Sequence, residues 1–158
     1  MIKSDRNAAL YLDDIQVGLC FKSATYTVEE KEIMDFAKQF DPQPFHTDPQ
    51  TARDTIFGGL IASGWHTAAM TMRLLLSAFP IAGGNIGLGG EAAWPKPTRS
   101  GDIIHIEGEV IKIQPSQSHD DRGIITIRVE TKNQREEVVQ ILTAKLLVFR
   151  RRHIPKRD

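Results

Sequence analysis

The chain has 158 residues, of which 41% are hydrophobic and 25% charged, a composition typical of a globular protein that buries a core. Lysine plus arginine and aspartate plus glutamate number 20 each, so no overall charge favours nucleic acid or a membrane surface as partner. The single cysteine, Cys20, excludes an intrachain disulfide, and no signal-peptide core or bilayer-length apolar stretch is evident. We therefore expect one cytoplasmic domain over residues 1–158, with its core over about 10–150 and a solvated basic tail over 150–158.

The first predicted elements are a strand in "FKSATYTV" and a helix in "EEKEIMDFAKQF". Four apolar residues recur there at helical spacing: Ile33, Phe36, Ala37 and Phe40. Thr27 and Glu30 are spaced as a capping box at the start of this helix. Pro42 directly follows Asp41 and predicts that the helix ends there, which places the acid where the chain turns.

The segment "FDPQPFH" sets Asp41 and His46 five residues apart, with Pro42 and Pro44 between them. Prolines fix φ and remove backbone donors, so we expect a stiff, non-helical bend. An imidazole exchanges protons near neutral pH, and a carboxylate held beside it could grip the same water molecule. The alternative is a polar turn in which the pair is only structural, and the residues alone leave it open.

Residues 65–79 predict a second helix that is apolar nearly all round, with Arg73 its one formal charge, and therefore buried on most sides. Ser63 is the predicted N-cap. Gly64 would leave its N–H accessible at the positive end of the helix, a suitable place for an oxygen that becomes negative during a reaction. The alternative is a glycine needed only for close packing. His66, inside the helix, is predicted to be a core or interface histidine.

The second half of the chain changes to a period of two residues. "IIHIEGEVIKI" and "IITIRVET" alternate apolar with polar side chains, and residues 138–149 are apolar on both faces, as expected for a central strand. Turn residues fill the gaps between these segments. We predict an α+β fold in which a curved antiparallel sheet wraps around one long central helix.

Three blocks in order, "FDPQPFH", "GGLIASGWHTAA" and "AAWPKPTRSGD", resemble the MaoC-like dehydratases, relatives of the (R)-specific enoyl-CoA hydratases with the hot-dog fold. The resemblance extends from about residue 21 to 149. It implies that Asp41 and His46 occupy the two catalytic positions and Gly64 the position of the oxyanion-hole glycine. Three positions depart from the family pattern: Gln43 replaces its usual Asn, Phe45 an aliphatic residue and Ser63 a frequent His. The acyl preference therefore need not be the usual short straight chain.

The resemblance implies reversible addition of water to a trans-2-enoyl thioester, giving a 3-hydroxyacyl thioester. The residues predicted to bind substrate are Gln43, Ser63, Trp65 and Trp94. No metal and no cofactor are expected beyond the coenzyme A or acyl carrier protein that the substrate carries, and a homodimer or a higher oligomer of dimers is expected. The alternatives are a thioesterase on the same fold and a non-catalytic acyl-CoA-binding protein. Hot-dog thioesterases generally place a carboxylate on the central helix, whereas residues 67–76 contain no Asp or Glu.

Overall fold

The structure of the protein is a computed structural model that describes residues 9–151, so most of the predicted basic tail lies outside the described residues. Four α-helices and six strands follow one another within these residues. They are β1 (Cys20–Lys22), β2 (Tyr26–Thr27), α1 (Glu30–Phe40), α2 (Pro44–Thr47), α3 (Pro49–Arg53), α4 (Gly64–Ala78), β3 (Ile86–Ala93), β4 (Ile103–Pro115), β5 (Arg122–Lys132) and β6 (Val138–Phe149).

The strands form one antiparallel sheet in the order β1-β4-β5-β6-β3, and the short β2 pairs with the start of β4. Helix α4 packs on this sheet, with Leu74 and Leu75 in the same buried core as Ile106 and Ile127. A hydroxyl pair at 2.6 Å, Thr71 on α4 and Thr131 on β5, also joins helix to sheet. The predicted α+β hot-dog architecture, a curved sheet around one long helix, is confirmed.

The period-two segments form β4, β5 and β6. The apolar residues predicted to face the core are buried: Ile104, Ile106 and Val110 on β4 and Ile125, Ile127 and Val129 on β5. The predicted first strand is interrupted and forms β1 and β2. Strand β3 was not predicted from the sequence. It contains three glycines, which have no side chain and therefore show no alternation of apolar and polar residues. At Gly90 a Cβ would lie 2.3 Å from the Thr143 carbonyl oxygen, so only glycine lets β3 approach β6 this closely.

Helix α1 begins two residues later than the capping-box prediction requires. Its N-cap is Glu29, without a side-chain cap, because Thr27 belongs to β2 and pairs with Ile103. The capping-box prediction is therefore wrong: sheet pairing holds the backbone of Thr27 away from the helix. The predicted end of the helix, with Asp41 as the C-cap, agrees with the structure.

Helix α4 is not buried on all sides in the single chain, which corrects the prediction from its composition. Trp65 is 64% exposed, and Met72 and Leu76 are also exposed on the same stripe, because the sheet covers only the opposite face of the helix. Strand β3 is exposed along its whole length. Both elements thus leave apolar side chains uncovered in one copy of the chain.

No helix within residues 9–151 is long and apolar enough to cross a bilayer. Cys20 is exposed on the edge strand β1. At the start of the predicted basic tail, Arg150 and Arg151 form ion pairs with Asp13 and Asp14. These two arginines are therefore bound to the chain itself, at the end of β6 opposite to the site described below.

Candidate active site

The segment "FDPQPFH" is a bend followed by one turn of helix. Asp41 ends α1, with its N–H bonded to the Ala37 carbonyl, and its own carbonyl accepts from the Gln43 N–H. Pro44 then begins α2 and places His46 within that turn, so the prediction of a wholly non-helical bend is wrong. Proline is compatible with the first helical position because its missing N–H would have no partner there.

The Asp41 carboxylate and the His46 imidazole face each other, with 3.3 Å between Oδ2 and Nε2. His46 is buried, and its Nδ1 lies 2.8 Å from the Ile61 carbonyl oxygen. A carbonyl only accepts, so Nδ1 must carry the proton and donate it there. In the neutral imidazole the lone pair is then on Nε2, directed toward Asp41.

Asp41 is surrounded by donors. Ser63 Oγ donates to Oδ2 at 2.7 Å, and the Gln43 side-chain amide donates to Oδ1 at 2.7 Å. Partial burial alone would raise the pKa of the Asp41 carboxyl, but these two hydrogen bonds and the positive charge of His46 in its protonated form hold its pKa below the ordinary value. The site therefore contains an ionised carboxylate beside an imidazole nitrogen, Nε2, that can exchange a proton.

Ser63 connects this pair to the start of α4. As predicted, it is the N-cap, and its Oγ accepts from the Trp65 N–H at 3.3 Å while donating to Asp41. Gly64 is the first helical residue, so its N–H has no intrahelical partner and lies at the positive end of the helix dipole.

A cavity of about 360 Å³ lies beside these groups. Its walls are largely apolar and come from the α2 region, the loop before α4, the first turn of α4, and the segment after β3. The lining residues are Phe45, His46, Phe57, Ile61, Ala62, Gly64, Thr67, Trp94, Pro95, Lys96, Pro97 and Thr98. Imidazole, helix start and cavity thus meet at one place.

Of the residues predicted to act or to bind substrate, His46, Gly64 and Trp94 line the cavity. Asp41, Gln43 and Ser63 form a hydrogen-bonded group around the carboxylate rather than part of the wall. Trp65 is largely exposed and does not line the cavity, but its ring packs against that of Trp94, which does.

Sequence reasoning missed several wall residues and supports. Phe57 comes from the loop before α4, which Arg99 holds by donating to the Phe57 carbonyl at 2.6 Å. The Ile61 carbonyl, which orients His46, is a backbone group that no motif identifies. Thr67 and Thr98 hydrogen-bond to each other in the wall at 3.0 Å. The segment "WPKPT" at 94–98 was the one sequence feature that indicated this wall, through its resemblance to the family's substrate channel.

His66 is buried and stacked on Phe36, with 4.8 Å between ring centroids. Burial lowers its pKa, and Glu32 nearby opposes the shift only in part. It does not line the cavity, so its position fits the predicted core histidine.

One group within residues 9–151 brings three potential metal ligands together: His105, Glu107 and Glu136. Glu107 already accepts from both Lys22 and Lys132, which lower its pKa to about 2. None of the three lines the cavity. We interpret this group as an ion-pair network on the outer face of the sheet.

Comparisons with known proteins identify the family of this chain. Residues 17–135 match the model of the MaoC like domain. The chain is 33% identical over 144 residues to the uncharacterized protein YdeM of Bacillus subtilis (strain 168), covering 89% of this chain and 99% of that protein. It is 55% identical, with a TM-score of 0.89, to the crystal structure of a MaoC-like dehydratase from Rhodospirillum rubrum, covering 92% and 100% of the two chains.

A third similarity is to the structure of the (R)-hydratase from A. caviae involved in PHA biosynthesis. There the identity is 25% and the TM-score 0.68, over 84% of this chain and 96% of that one. Because the family model covers most of the chain and the fold agrees throughout, the chain belongs to the MaoC-like domain family.

Proposed function

We propose that the protein catalyses reversible hydration of a trans-2-enoyl thioester to a 3-hydroxyacyl thioester. One observation carries the proposal: His46 Nε2 lies 3.3 Å from Asp41 Oδ2 at the wall of a cavity that also includes the unpaired end of α4. Membership of a family with hydratase and dehydratase relatives supports the same class of reaction.

The hydrogen bonds around the pair suggest how the water would be held. Ile61 fixes the proton of His46 on Nδ1, so Nε2 and the Asp41 carboxylate are both acceptors. A water between them can donate one proton to each and direct its oxygen lone pair at C3 of the substrate. The oxygen bonds to C3, one water proton passes to the pair, and the pair returns a proton to C2.

The thioester oxygen gains negative charge as C3 is attacked. We propose that the Gly64 N–H donates to this oxygen, because it is unpaired, lies at the positive end of α4 and borders the cavity. The reaction as written balances without a redox change. We therefore propose that no metal or separate cofactor takes part and that coenzyme A or acyl carrier protein arrives with the substrate.

The decisive experiment is an assay with a panel of enoyl-CoAs carrying short, long, branched and dicarboxylic acyl groups. We expect loss of the conjugated-thioester absorbance without release of free thiol. Thiol release would instead indicate the thioesterase alternative, and saturable binding with neither reaction would indicate a non-catalytic acyl-CoA-binding protein.

We expect Ser63→Ala to shift the pH dependence of this activity. Ser63 donates to the ionised form of Asp41, so its removal raises the pKa of that carboxyl, and the acidic limb of the kcat/KM profile moves to higher pH. The lost N-cap should also cost about 1 kcal/mol of stability. Ser63→Thr, which keeps a hydroxyl, should retain the original limb; an unchanged limb in Ser63→Ala would contradict the coupling.

We also propose that two copies of the chain associate through the apolar surface formed by α4 and β3. Trp65, Met72 and Leu76 on the helix and Leu88 on the strand are exposed, and the outer edge of β3 has no neighbouring strand within the described residues. Such a strand edge normally requires cover.

The paired substitutions Leu76→Glu and Leu88→Lys should therefore convert a dimer into a monomer in sedimentation velocity. Ile56→Glu changes an exposed isoleucine elsewhere on the surface and serves as the matched control. A wild-type protein that sediments as a monomer at micromolar concentration would refute the association.

A further inference from the structure

The indole of Trp94 is held by a hydrogen bond to a residue that the sequence analysis did not identify as part of the site. Its Nε1–H donates at 2.8 Å to the side-chain oxygen of Gln140, a fully buried residue of β6. Because an indole N–H can only donate, the oxygen of the Gln140 amide must face it. The amide nitrogen of Gln140 is then left without a partner among residues 9–151.

This arrangement is costly for stability. A buried N–H donor without an acceptor loses its hydration and regains nothing. An apolar side chain of similar size at position 140 would avoid that loss but would leave the indole N–H of Trp94 without its acceptor. The presence of Gln140 is therefore better explained by what it does to Trp94 than by packing of the core.

The fixed indole lies between the cavity and the surface. It packs on Gly64 so closely that a Cβ on that residue would be 2.7 Å from the ring. It also contacts the exposed Trp65, with the two rings steeply inclined and 5.4 Å between their centroids. Trp94 lines the cavity, whereas Trp65 does not. The indole thus lies between the cavity and the exposed Trp65.

We propose that Trp94 is the end wall of the acyl cavity and sets the longest acyl chain the protein accepts, with Gln140 as the positioning residue that holds the wall in place. This inference rests on the proposed function. Phe45, Phe57 and Ile61 also line the cavity, so the chain that ends against the indole is an apolar one.

The test compares kcat/KM for straight-chain trans-2-enoyl-CoAs of increasing length between the wild type and Trp94→Ala. Burial of each further methylene changes kcat/KM by about fourfold, so two newly accepted methylenes should raise the ratio of long-chain to short-chain kcat/KM by at least about tenfold. Trp94→Phe, with a smaller ring, should fall between the two. Phe149→Ala removes an aromatic ring at the other end of β6 and should leave the ratio unchanged.

Gln140→Leu distinguishes positioning from a structural role. It should shift the chain-length ratio in the same direction as Trp94→Ala with little change in melting temperature, because removal of the unpaired amide offsets loss of the hydrogen bond to Trp94. In a Trp65→Phe background, where Trp94 is the sole tryptophan, Gln140→Leu should also increase quenching of fluorescence by acrylamide. A lower melting temperature with an unchanged ratio would overturn the role given to Gln140.

Binding of saturated acyl-CoAs to the Trp65→Phe protein, followed by Trp94 fluorescence, measures the same length limit without turnover. For Trp94→Ala, which lacks this fluorophore, calorimetry measures the longest acyl chain that binds. If that length is the same as in the wild type, the inference is overturned even if hydration is observed. If no hydration is observed but Trp94→Ala binds longer acyl chains than the wild type, the proposed reaction is overturned and the role of Trp94 as the end wall is supported.

Discussion

Asp41→Asn and His46→Gln should each lower hydration of a suitable enoyl-CoA by ~10²-fold or more, the usual size of general acid–base effects. The amide in Asp41→Asn removes the negative charge that two donors now stabilise, and the His46→Gln side chain has no lone pair on nitrogen to accept a proton. The measurement is kcat/KM from the decrease in enoyl-thioester absorbance.

Two substitutions provide matched controls for this prediction. Asp35→Asn removes an exposed carboxylate of α1, and His119→Gln an exposed imidazole in the turn between β4 and β5. Both should retain the activity of the wild type, and all four proteins should keep the same circular dichroism spectrum. Turnover near the wild-type value in Asp41→Asn or His46→Gln would remove that residue from the mechanism.

Gly64→Ala is expected to have the second large effect. The added Cβ would lie 2.7 Å from the Trp94 ring, so either the indole or the first turn of α4 must move. Movement of that turn misdirects the backbone N–H, and loss of one such donor costs about 3–4 kcal/mol of transition-state stabilisation, which is ~10²–10³ in kcat. Steady-state kinetics together with thermal unfolding would measure both consequences.

The matched control is Gly59→Ala, where the new Cβ meets only an arginine side-chain nitrogen at 3.6 Å, an ordinary contact. We expect it to keep nearly full activity. Should Gly64→Ala lose stability but retain kcat, the backbone at this position would be structural, and the thioester oxygen would have to be stabilised by another group.

The sequence predicted the parts of the fold whose side chains repeat at a fixed period. Strands β4 and β5 follow from their alternation, since Ile104 and Ile106 face the core while Glu107 does not. Strand β3 could not be predicted in this way because its glycines allow close backbone approach and show no pattern. The exposed stripe of α4 was also not predicted. An apolar composition indicates that a helix face is suited to burial, but it does not say whether the same chain supplies the residues that bury it.

For the site, the sequence predicted which groups come together but not what holds them. Asp41, His46 and Ser63 were identified from their residue types and spacing, and the structure brings them together, with Ser63 hydrogen-bonded to Asp41 and His46 Nε2 3.3 Å from its carboxylate. The Ile61 carbonyl and the amide of Gln140 were not identified, since each meets its partner only after distant segments fold together. Local patterns contain no information about such contacts.

The hydroxyl of Ser63 has a consequence for how the protein would lose activity on heating. The same oxygen closes the first turn of α4 and anchors the acid 22 residues earlier in the chain. Fraying of that single turn would release the Asp41 carboxylate and at the same time displace the Gly64 N–H, while the six-stranded sheet remained intact. Inactivation should therefore precede global melting and should be reversible on cooling, as a local opening rather than a collapse of the molecule.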